Sequence, residues 1–304
     1  MTALVGVVPN FSEGRRREVI DAIASALDVQ GARVVYAEAD ADHNRLDTTV
    51  LGDGDAVRRS AIAGARAAIE RIDLFEHRGG HPRMGAADVI PFMPVRDVTM
   101  EACVDLARGF AHELAETLRI PVYLYGEAAL VPERRSLADV RRGEFEGLRR
   151  ALAAGERLPD LGPHELGPAG ATAVGARKPL VAFNVYLEGG EEDAKAVARE
   201  VRESSGGLPA VRAIGFAVPD RRAVTVSMNL VDTDVTGVRD AFDAVERGGE
   251  ARGMSVLGSE IVGLAPASAL PEGVAEHVRL EGFDPERQIL ERLIDEDDGR
   301  EAGS

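Results

Sequence analysis

The sequence predicts an α+β fold of two related subdomains, each with a mixed or antiparallel sheet and outer helices. The order strand, helix, strand, strand, helix, strand occurs twice in the 304 residues, once before residue 125 and again after residue 180. This order is typical of the ferredoxin-like (βαββαβ) unit. A stretch rich in Gly, Pro and His at 155–170 joins the two halves. We therefore expect an N-terminal subdomain over 1–178 and a C-terminal one over 179–304.

In the first half, short apolar runs alternate with apolar residues at helical spacing. The predicted elements are, in order, a strand at 4–8, a helix through 19–27, strands at 32–39 and 48–52, a helix at 56–72, a strand at 87–93, a helix at 100–118 and a strand at 122–125. Pro91 and Pro94 cannot donate a backbone hydrogen bond. We therefore expect the strand at 87–93 to lie at an edge or an end of its sheet.

The second half repeats the pattern. The predicted elements are a strand at 181–187, a helix at 194–201, a strand pair at 211–217 and 223–230, a helix at 238–245 and a strand at 255–262. Residues 285–294 carry an apolar stripe at helical spacing. The acidic residues at 291–304 are expected to fray.

Composition narrows the class of protein. The net charge of −16 disfavours nucleic acid and anionic membranes as partners. Cys103 is the only cysteine, which excludes an internal disulfide and a thiolate metal site. Its apolar helical neighbours indicate core packing. There is no run of 18 apolar residues, and the N-terminus lacks the basic flank of a signal peptide. A soluble, cytoplasmic protein is the expectation.

His81 lies in the most informative segment, Arg-Gly-Gly-His-Pro-Arg-Met-Gly-Ala at 78–86. Two glycines before it and Pro82 after it prevent a regular helix. Histidine can exchange a proton near neutral pH, and the flanking Arg78 and Arg83 can bind carboxylates. An inert loop histidine is the alternative. The two arginines favour catalysis on an anionic substrate bound in a local positive site.

The segment at 9–17 contains three consecutive arginines in a predicted first helical turn, after Ser12 as the predicted N-cap. Cations there oppose the helix dipole. A bound anion would compensate for them. The alternative is neutralisation by Glu13 and Glu18 on a solvated face.

A second polar segment, 38–45, connects two predicted strands. A plain polar turn would explain part of it. Its two aspartates, histidine, asparagine and arginine within six residues exceed what a turn requires. Asp40 or Asp42 could orient a histidine ring, and Arg45 could hold a substrate carboxylate.

Other chemistries lack a supporting motif. His77 and His81 have the four-residue spacing of zinc ligands on one helix face, but Gly79, Gly80 and Pro82 break that helix. No metal site is therefore expected. The sequence contains no HExxH, GxSxG or GxxxxGK[ST] motif and no strand followed by GxGxxG.

Several segments together resemble the glutamate formimidoyltransferase family. They are Pro-Asn-Phe-Ser-Glu-Gly-Arg at 9–15, Asp-His-Asn-Arg at 42–45, His-Pro-Arg-Met-Gly-Ala-Ala-Asp-Val at 81–89, Gly-Ala-Thr-Ala-Val-Gly-Ala-Arg at 170–177 and Ala-Phe-Asn-Val at 182–185. They follow the family's order and span nearly the whole chain.

The resemblance implies an enzyme of histidine degradation that transfers the formimino group from N-formimino-L-glutamate to N5 of tetrahydrofolate. Tetrahydrofolate is then a co-substrate, and no metal is required. The resemblance also implies a homodimer with substrates bound between two ferredoxin-like subdomains. Many relatives carry a fused cyclodeaminase domain. This chain is expected to end before one, so that a separate cyclodeaminase acts on the product.

The catalytic histidine of the family corresponds to His81, which could accept a proton from N5 and return one to the glutamate nitrogen. Asp40 or Asp42 could orient or reprotonate it. The resemblance implies a folate-binding loop at 162–172, and we assign the carboxylate contacts to arginines. The expected binding residues are Asn10, Arg45, Arg83, Gly162, Pro163, Gly170, Ala171, Thr172, Arg177 and Asn184.

Two departures from the family pattern are Leu-Asp-Thr-Thr at 46–49 and Tyr186. They leave open whether the donor is formimino- or formylglutamate. A folate-binding protein without catalysis and a metal hydrolase are the alternative functions. The first would release no glutamate, and the second would contain stoichiometric metal.

Overall fold

The computed structural model describes residues 3–218 and 221–293. These residues form two compact units with a boundary between Arg177 and Lys178. No helix in the described residues is both long and apolar enough to cross a membrane.

The first unit contains one large sheet with helices packed against it. Its elements are β1 (Leu4–Val7), β2 (Asn10–Phe11), α1 (Arg17–Leu27), β3 (Ala32–Asp40), β4 (Arg45–Gly52), α2 (Gly54–Ile69), β5 (Ala87–Arg96), α3 (Met100–Leu118), β6 (Val122–Gly126), α4 (Leu137–Val140), α5 (Glu144–Ala153) and β7 (Thr172–Ala176). The strands β1 and β2 both lie between β4 and β5, so they act as two parts of one interrupted strand.

The sheet order in this unit is β3, β4, β1 with β2, β5, β7 and β6. The first four positions pair antiparallel, whereas β7 pairs parallel with both β5 and β6. The part from β1 to β5 is the predicted ferredoxin-like unit, which is confirmed. The crossover through α3, together with β6 and β7, extends it. The short strand β7 follows the connecting loop predicted at 155–170, and no strand was predicted at its position.

The expected edge position of the strand at 87–93 is wrong, because β5 lies between β1 with β2 on one side and β7 on the other. Pro91 is tolerated there because it faces the break between β1 and β2. Its carbonyl accepts from the Val8 N–H at 3.0 Å. Pro94 pairs with Val5 beside a register shift of β1. Both prolines therefore occupy irregular positions in the ladder.

Caps and buried faces fix the helices of this unit. Asp53 and Thr99 accept from backbone N–H groups at the starts of α2 and α3. Val19, Ile23 and Leu27 form the buried face of α1. Cys103 is fully buried in the same core, as predicted, and burial raises the pKa of its thiol to about 11.

The second unit is a four-stranded antiparallel sheet with helices on one face. Its elements are β8 (Val181–Glu188), α6 (Glu191–Val201), β9 (Val211–Val218), β10 (Ala223–Leu230), α7 (Val238–Glu250), β11 (Ser255–Val262), α8 (Val274–His277) and α9 (Pro285–Gln288). The order β11–β8–β10–β9 confirms the second ferredoxin-like unit. The predicted helix at 285–294 is interrupted at Ile289, which bridges to Ala265, and residues 290–293 are helical again. Residues 294–304 lie outside the described residues.

Candidate active site

His81 lies in the loop between α2 and β5, and this loop packs against the turn between β3 and β4. A Cβ atom at Gly79 would overlap the carbonyl oxygen of His43, so glycine is needed for this close approach. The side chain of Asn44 donates to the carbonyl of Arg78 at 2.9 Å. These contacts bring the two polar segments identified in the sequence together.

The ring of His81 has a defined hydrogen-bonding partner. Its Nδ1 lies 2.7 Å from the carbonyl oxygen of Pro82 and 3.3 Å from Nη1 of Arg45. A carbonyl oxygen can only accept, so the shorter bond places the proton on Nδ1 and leaves the lone pair on Nε2. Burial, together with the guanidinium groups of Arg45 and Arg141, lowers the pKa of His81 to about 4. The ring is therefore neutral at pH 7, rather than half-titrated near pH 6.5 as expected from the sequence.

Asp88 lies at the centre of the charged groups behind His81. Its carboxylate is fully buried and accepts from the Met84 N–H at 2.8 Å and from Nη1 of Arg45 at 3.0 Å. Arg141 donates to the same oxygen as Arg45. Burial raises the pKa of Asp88, but the two guanidinium groups and the backbone donor outweigh it, so the pKa is lowered. Asp88 is therefore an anion shared by two cations.

The hydrogen-bond donors of Arg141 are only partly used in this arrangement. Among the described residues, its buried Nε has no hydrogen-bond partner. Burial and the nearby charge of Arg45 lower the pKa of its guanidinium, although Asp88 acts in the opposite direction. Arg141 therefore has an unused donor and an incompletely compensated charge.

Arg45 is held in place by several acceptors, as expected for a rigid binding group. Its Nε donates to Asp47 at 2.8 Å, and its Nη2 donates to the side-chain oxygen of Asn10. Asn10 also donates to the carbonyl of Val8 at 3.1 Å. The structure thus brings the predicted residues Asn10 and Arg45 next to His81.

Arg83 does not have the predicted environment. Its guanidinium pairs with Glu144 at 2.9 Å and with Glu146 at 2.6 Å, both in the first turn of α5. Its Nε donates to Nδ1 of His77 at 3.3 Å. The carboxylates expected from a substrate are here supplied by the chain itself. Sequence spacing could not reveal this, because Glu144 and Glu146 lie 61 and 63 residues away.

Asp40 and Asp42 do not contact His81 as expected. The carboxylate of Asp40 binds Nδ1 of His43 at 2.6 Å and also accepts from the N–H groups of Asp42 and His43. Asp42 is exposed, and its backbone carbonyl accepts from the Gly80 N–H. Asp40 therefore orients His43, whose ring meets His81 edge-on with 6.2 Å between centroids.

The C-terminal end of the predicted folate-binding loop packs on the segment that follows His81. Gly170 has a φ of +70°, and a Cβ there would overlap the carbonyl oxygen of Met84. The Ala171 N–H donates to the same carbonyl at 2.9 Å, and the Thr172 hydroxyl donates to the Ala87 carbonyl at 2.6 Å. The structure therefore places 170–172 beside the His81 motif.

The other end of this loop lies elsewhere. Gly162, with a φ of +86°, packs closely against the carbonyl of Ile120 just before β6, and Pro163 follows it. Arg177 directly follows β7, and its guanidinium bonds the buried Tyr125 hydroxyl. The charges of Arg141 and Asp88 also act on Tyr125, so Arg177 belongs to the same charged cluster.

Comparison with known proteins identifies the family. A family model described as "Formiminotransferase domain, N-terminal subdomain" matches residues 4–177, and one described as "Formiminotransferase domain" matches residues 182–282. The chain belongs to the formiminotransferase domain family. The resemblance seen in the sequence motifs is confirmed.

Two relatives match over nearly their whole length. Glutamate formimidoyltransferase from Streptococcus pyogenes serotype M1 is 41% identical over 297 residues, which cover 97% of this chain and 99% of that protein. Glutamate formimidoyltransferase from Thermoplasma acidophilum is 42% identical over 297 residues, 96% of this chain and 98% of that protein. Formimidoyltransferase-cyclodeaminase from Mus musculus is 40% identical, and the match covers 97% of this chain but 60% of the mouse protein.

The arginine-rich start of α1 in this member of the formiminotransferase family has a carboxylate partner from the chain itself. Glu13 is 2% exposed, and its carboxylate accepts from the N–H groups of Arg15 and Arg16 at 2.9 Å. It also pairs with the Arg16 guanidinium. Glu13 therefore supplies part of the expected neutralisation from a buried position, while Arg17 pairs with Asp21 rather than with Glu18. The bound anion stays a prediction. The capping prediction is wrong, because Ser12 donates to the Gly85 carbonyl instead.

Asn184 lies on β8 in the second unit, on the sheet face opposite the buried Phe183 and Val185. Its side chain bonds the Tyr186 hydroxyl. Burial and the nearby Glu260 raise the pKa of Tyr186 to about 12. The binding role expected of Asn184 stays a prediction.

Among residues 3–218 and 221–293, no group of three or more His, Cys, Asp or Glu side chains could hold a metal ion. His77 is buried and lies 3.2 Å from the carbonyl of Asn44, while its other ring nitrogen accepts from Arg83. Burial lowers its pKa, so the ring is a neutral structural link.

Sequence reasoning missed two central residues of the site in this formiminotransferase chain, Asp88 and Arg141. Asp88 carried a usable signal, because it is a charged residue inside an otherwise apolar strand. Such a residue is stable only when it is paired. Arg141 carried no comparable signal, since it lies in a segment rich in exposed arginines.

Proposed function

We propose that this chain is a glutamate formimidoyltransferase that transfers the formimino group from N-formimino-L-glutamate to N5 of tetrahydrofolate and releases L-glutamate. The observation that carries the proposal is the neutral ring of His81, which has an unprotonated Nε2. The ring lies in a loop beside a cluster of arginines. Relatives of matching length that have this name support it.

The reaction requires one proton to leave N5 and one to reach the glutamate nitrogen. N5 attacks the formimino carbon, and His81 Nε2 accepts the N5 proton as the new C–N bond forms. The tetrahedral adduct then breaks its bond to the glutamate nitrogen, which leaves as an amine after gaining a proton. Because burial, together with Arg45 and Arg141, keeps His81 neutral, the base is available at pH 7 without prior deprotonation.

We assign binding of a substrate carboxylate to Arg141, with Arg45 and Arg177 supplying further positive charge. Arg45 and Arg141 pair with the buried Asp88, and Arg177 bonds the neighbouring Tyr125 hydroxyl, so positively charged side chains cluster here in a protein with net charge −16. The buried, unpartnered Nε of Arg141 supplies a donor for a carboxylate oxygen. Arg83 instead anchors α5 through Glu144 and Glu146.

A single assay tests the proposal. The purified protein is mixed with tetrahydrofolate and either N-formimino- or N-formylglutamate, and release of glutamate is measured. We expect folate-dependent release from the formimino donor. Release from the formyl donor alone would change the substrate assignment, whereas folate binding without glutamate release would indicate a binding protein. Activity that disappears with a chelator and accompanies stoichiometric metal would indicate a metal hydrolase.

The biological setting follows from the same function. We propose a cytoplasmic homodimer whose product is consumed by a separate cyclodeaminase. The name of the mouse relative, formimidoyltransferase-cyclodeaminase, associates these two activities in one protein. Light scattering after size-exclusion chromatography tests the dimer, with a monomer as the contradicting result.

A further inference from the structure

His43 is fixed in the turn between β3 and β4 by Asp40. The Asp40 carboxylate accepts from the N–H groups of Asp42 and His43 at 2.8 Å and bonds Nδ1 of the His43 ring at 2.6 Å. Burial raises the pKa of Asp40, but these donors outweigh it and lower the pKa. The His43 ring is therefore held through one nitrogen by an anion, and its Nε2 points away from that partner.

The same turn is clamped against the loop of His81. The Gly80 N–H donates to the Asp42 carbonyl at 3.2 Å, and Gly79 packs directly on the His43 backbone. The rings of His43 and His81 consequently meet edge-on at an interplanar angle of 82°. The His43 side chain is 56% exposed. His43 thus contacts both His81 and water.

A single base is poorly suited to the two proton transfers that this reaction needs. The attacking N5 and the leaving nitrogen are different atoms on the formimino carbon, and each needs its own proton transfer. Burial and the positive charges of Arg45 and Arg141 disfavour a long-lived imidazolium at His81. A second imidazole with an adjacent carboxylate can hold a proton close by.

We propose that His43, oriented by Asp40, is a second proton-transfer residue of the reaction, an inference that rests on the proposed transferase function. The protonated ring donates from Nε2 to the glutamate nitrogen as the C–N bond breaks. His81 then passes the N5 proton to His43, directly or through one water molecule. The cycle moves one proton from N5 to the departing amine and restores both rings.

Single variants measured with formiminoglutamate and tetrahydrofolate test this role. We expect His43→Ala to lower kcat by about 10² with little change in KM, in the range usual for loss of acid–base catalysis. Imidazole added to this variant restores part of the rate. Asp40→Asn lowers kcat in the same way, and the double variant is no slower than His43→Ala, because both residues act through one ring.

The matched control is His112→Gln, an exposed histidine on α3, which leaves kcat unchanged. Thermal unfolding of each variant detects loss of structure. A kcat for His43→Ala equal to that of the wild type overturns the proposal, as does a lower kcat that imidazole fails to raise. An inactive wild type instead refutes the transferase function itself, so the two failures are distinguishable.

Discussion

Replacing Asp88 by asparagine tests the central charge arrangement of the first unit. One Asp88 oxygen accepts from the Met84 N–H, and the other accepts from both Arg45 and Arg141. Asparagine has the same shape, but its NH₂ group must face a donor in either orientation. The substitution also leaves two buried guanidinium groups without their shared anion. Removing one partner of a buried pair costs about 3–5 kcal/mol in the free energy of unfolding.

For a unit of this size, each kcal/mol corresponds to about 2–4 °C in the unfolding temperature, so we expect Asp88→Asn to lower Tm by about 6–20 °C. Thermal unfolding followed by circular dichroism measures the change. Asp47→Asn is the matched control, because Asp47 is 49% exposed and its pair with Arg45 is worth at most about 1 kcal/mol. Equal Tm values for Asp88→Asn and Asp47→Asn would refute the reasoning.

The difference between wild type and Asp88→Asn depends on pH in a defined direction. The pKa of Asp88 is lowered on folding, so its stabilisation is present above the unfolded pKa of about 3.9. It is lost as the pH falls through the lower folded value. The two proteins should therefore approach equal stability in strong acid, and a Tm gap that stays constant between pH 7 and pH 2 would contradict this assignment.

The other predictions concern activity. His81→Ala should lower turnover by about 10² to 10⁴ while tetrahydrofolate still binds, as measured by glutamate release and equilibrium binding. The pKa of His81 in the wild type is about 4, so the ring is unprotonated above pH 6 and becomes protonated below pH 5. His81 should therefore not change kcat/KM with pH above pH 6, whereas its protonation should reduce kcat/KM below pH 5. Arg141→Gln should raise the KM for formiminoglutamate about 10- to 150-fold, since a charged hydrogen bond is worth about 1.5–3 kcal/mol, whereas the 78% exposed Arg142→Gln should leave it unchanged. Gly170→Ala should destabilise the protein by more than about 1 kcal/mol in thermal unfolding, because φ is positive and the new methyl group would overlap the Met84 carbonyl.

The two ferredoxin-like units could be predicted because their apolar periodicity is local. The predicted helix at 194–201 misses the acidic first turn of α6, which begins at Glu191, since periodicity marks only the buried face. Strand β7 was missed because its five residues include Gly175 and have little apolar bulk. Its strand pairing with β5 and β6 is tertiary information that a short segment does not carry.

Some residues of the candidate site could likewise be predicted from local sequence, and others could not. His81, Arg45 and Asn10 were identifiable, because each stands in a short segment with more chemical groups than a turn requires. The partners of Arg83 and the sharing of Asp88 were not, since they join residues 43–63 positions apart in the sequence. The residue type does not indicate whether an arginine binds a substrate carboxylate or a carboxylate on a neighbouring helix. Only the fold determines which carboxylate it meets.

The arginine cluster links substrate binding to the basicity of His81. Burial and the charges of Arg45 and Arg141 lower the pKa of the His81 imidazole to about 4, which makes it neutral but weakly basic. A substrate carboxylate bound at Arg141 would compensate part of that positive charge, so the pKa of His81 should rise toward its ordinary value. The base would then strengthen when the donor is present. An NMR titration of His81 with and without L-glutamate measures this shift, and identical titration curves would show that the carboxylate binds away from Arg141.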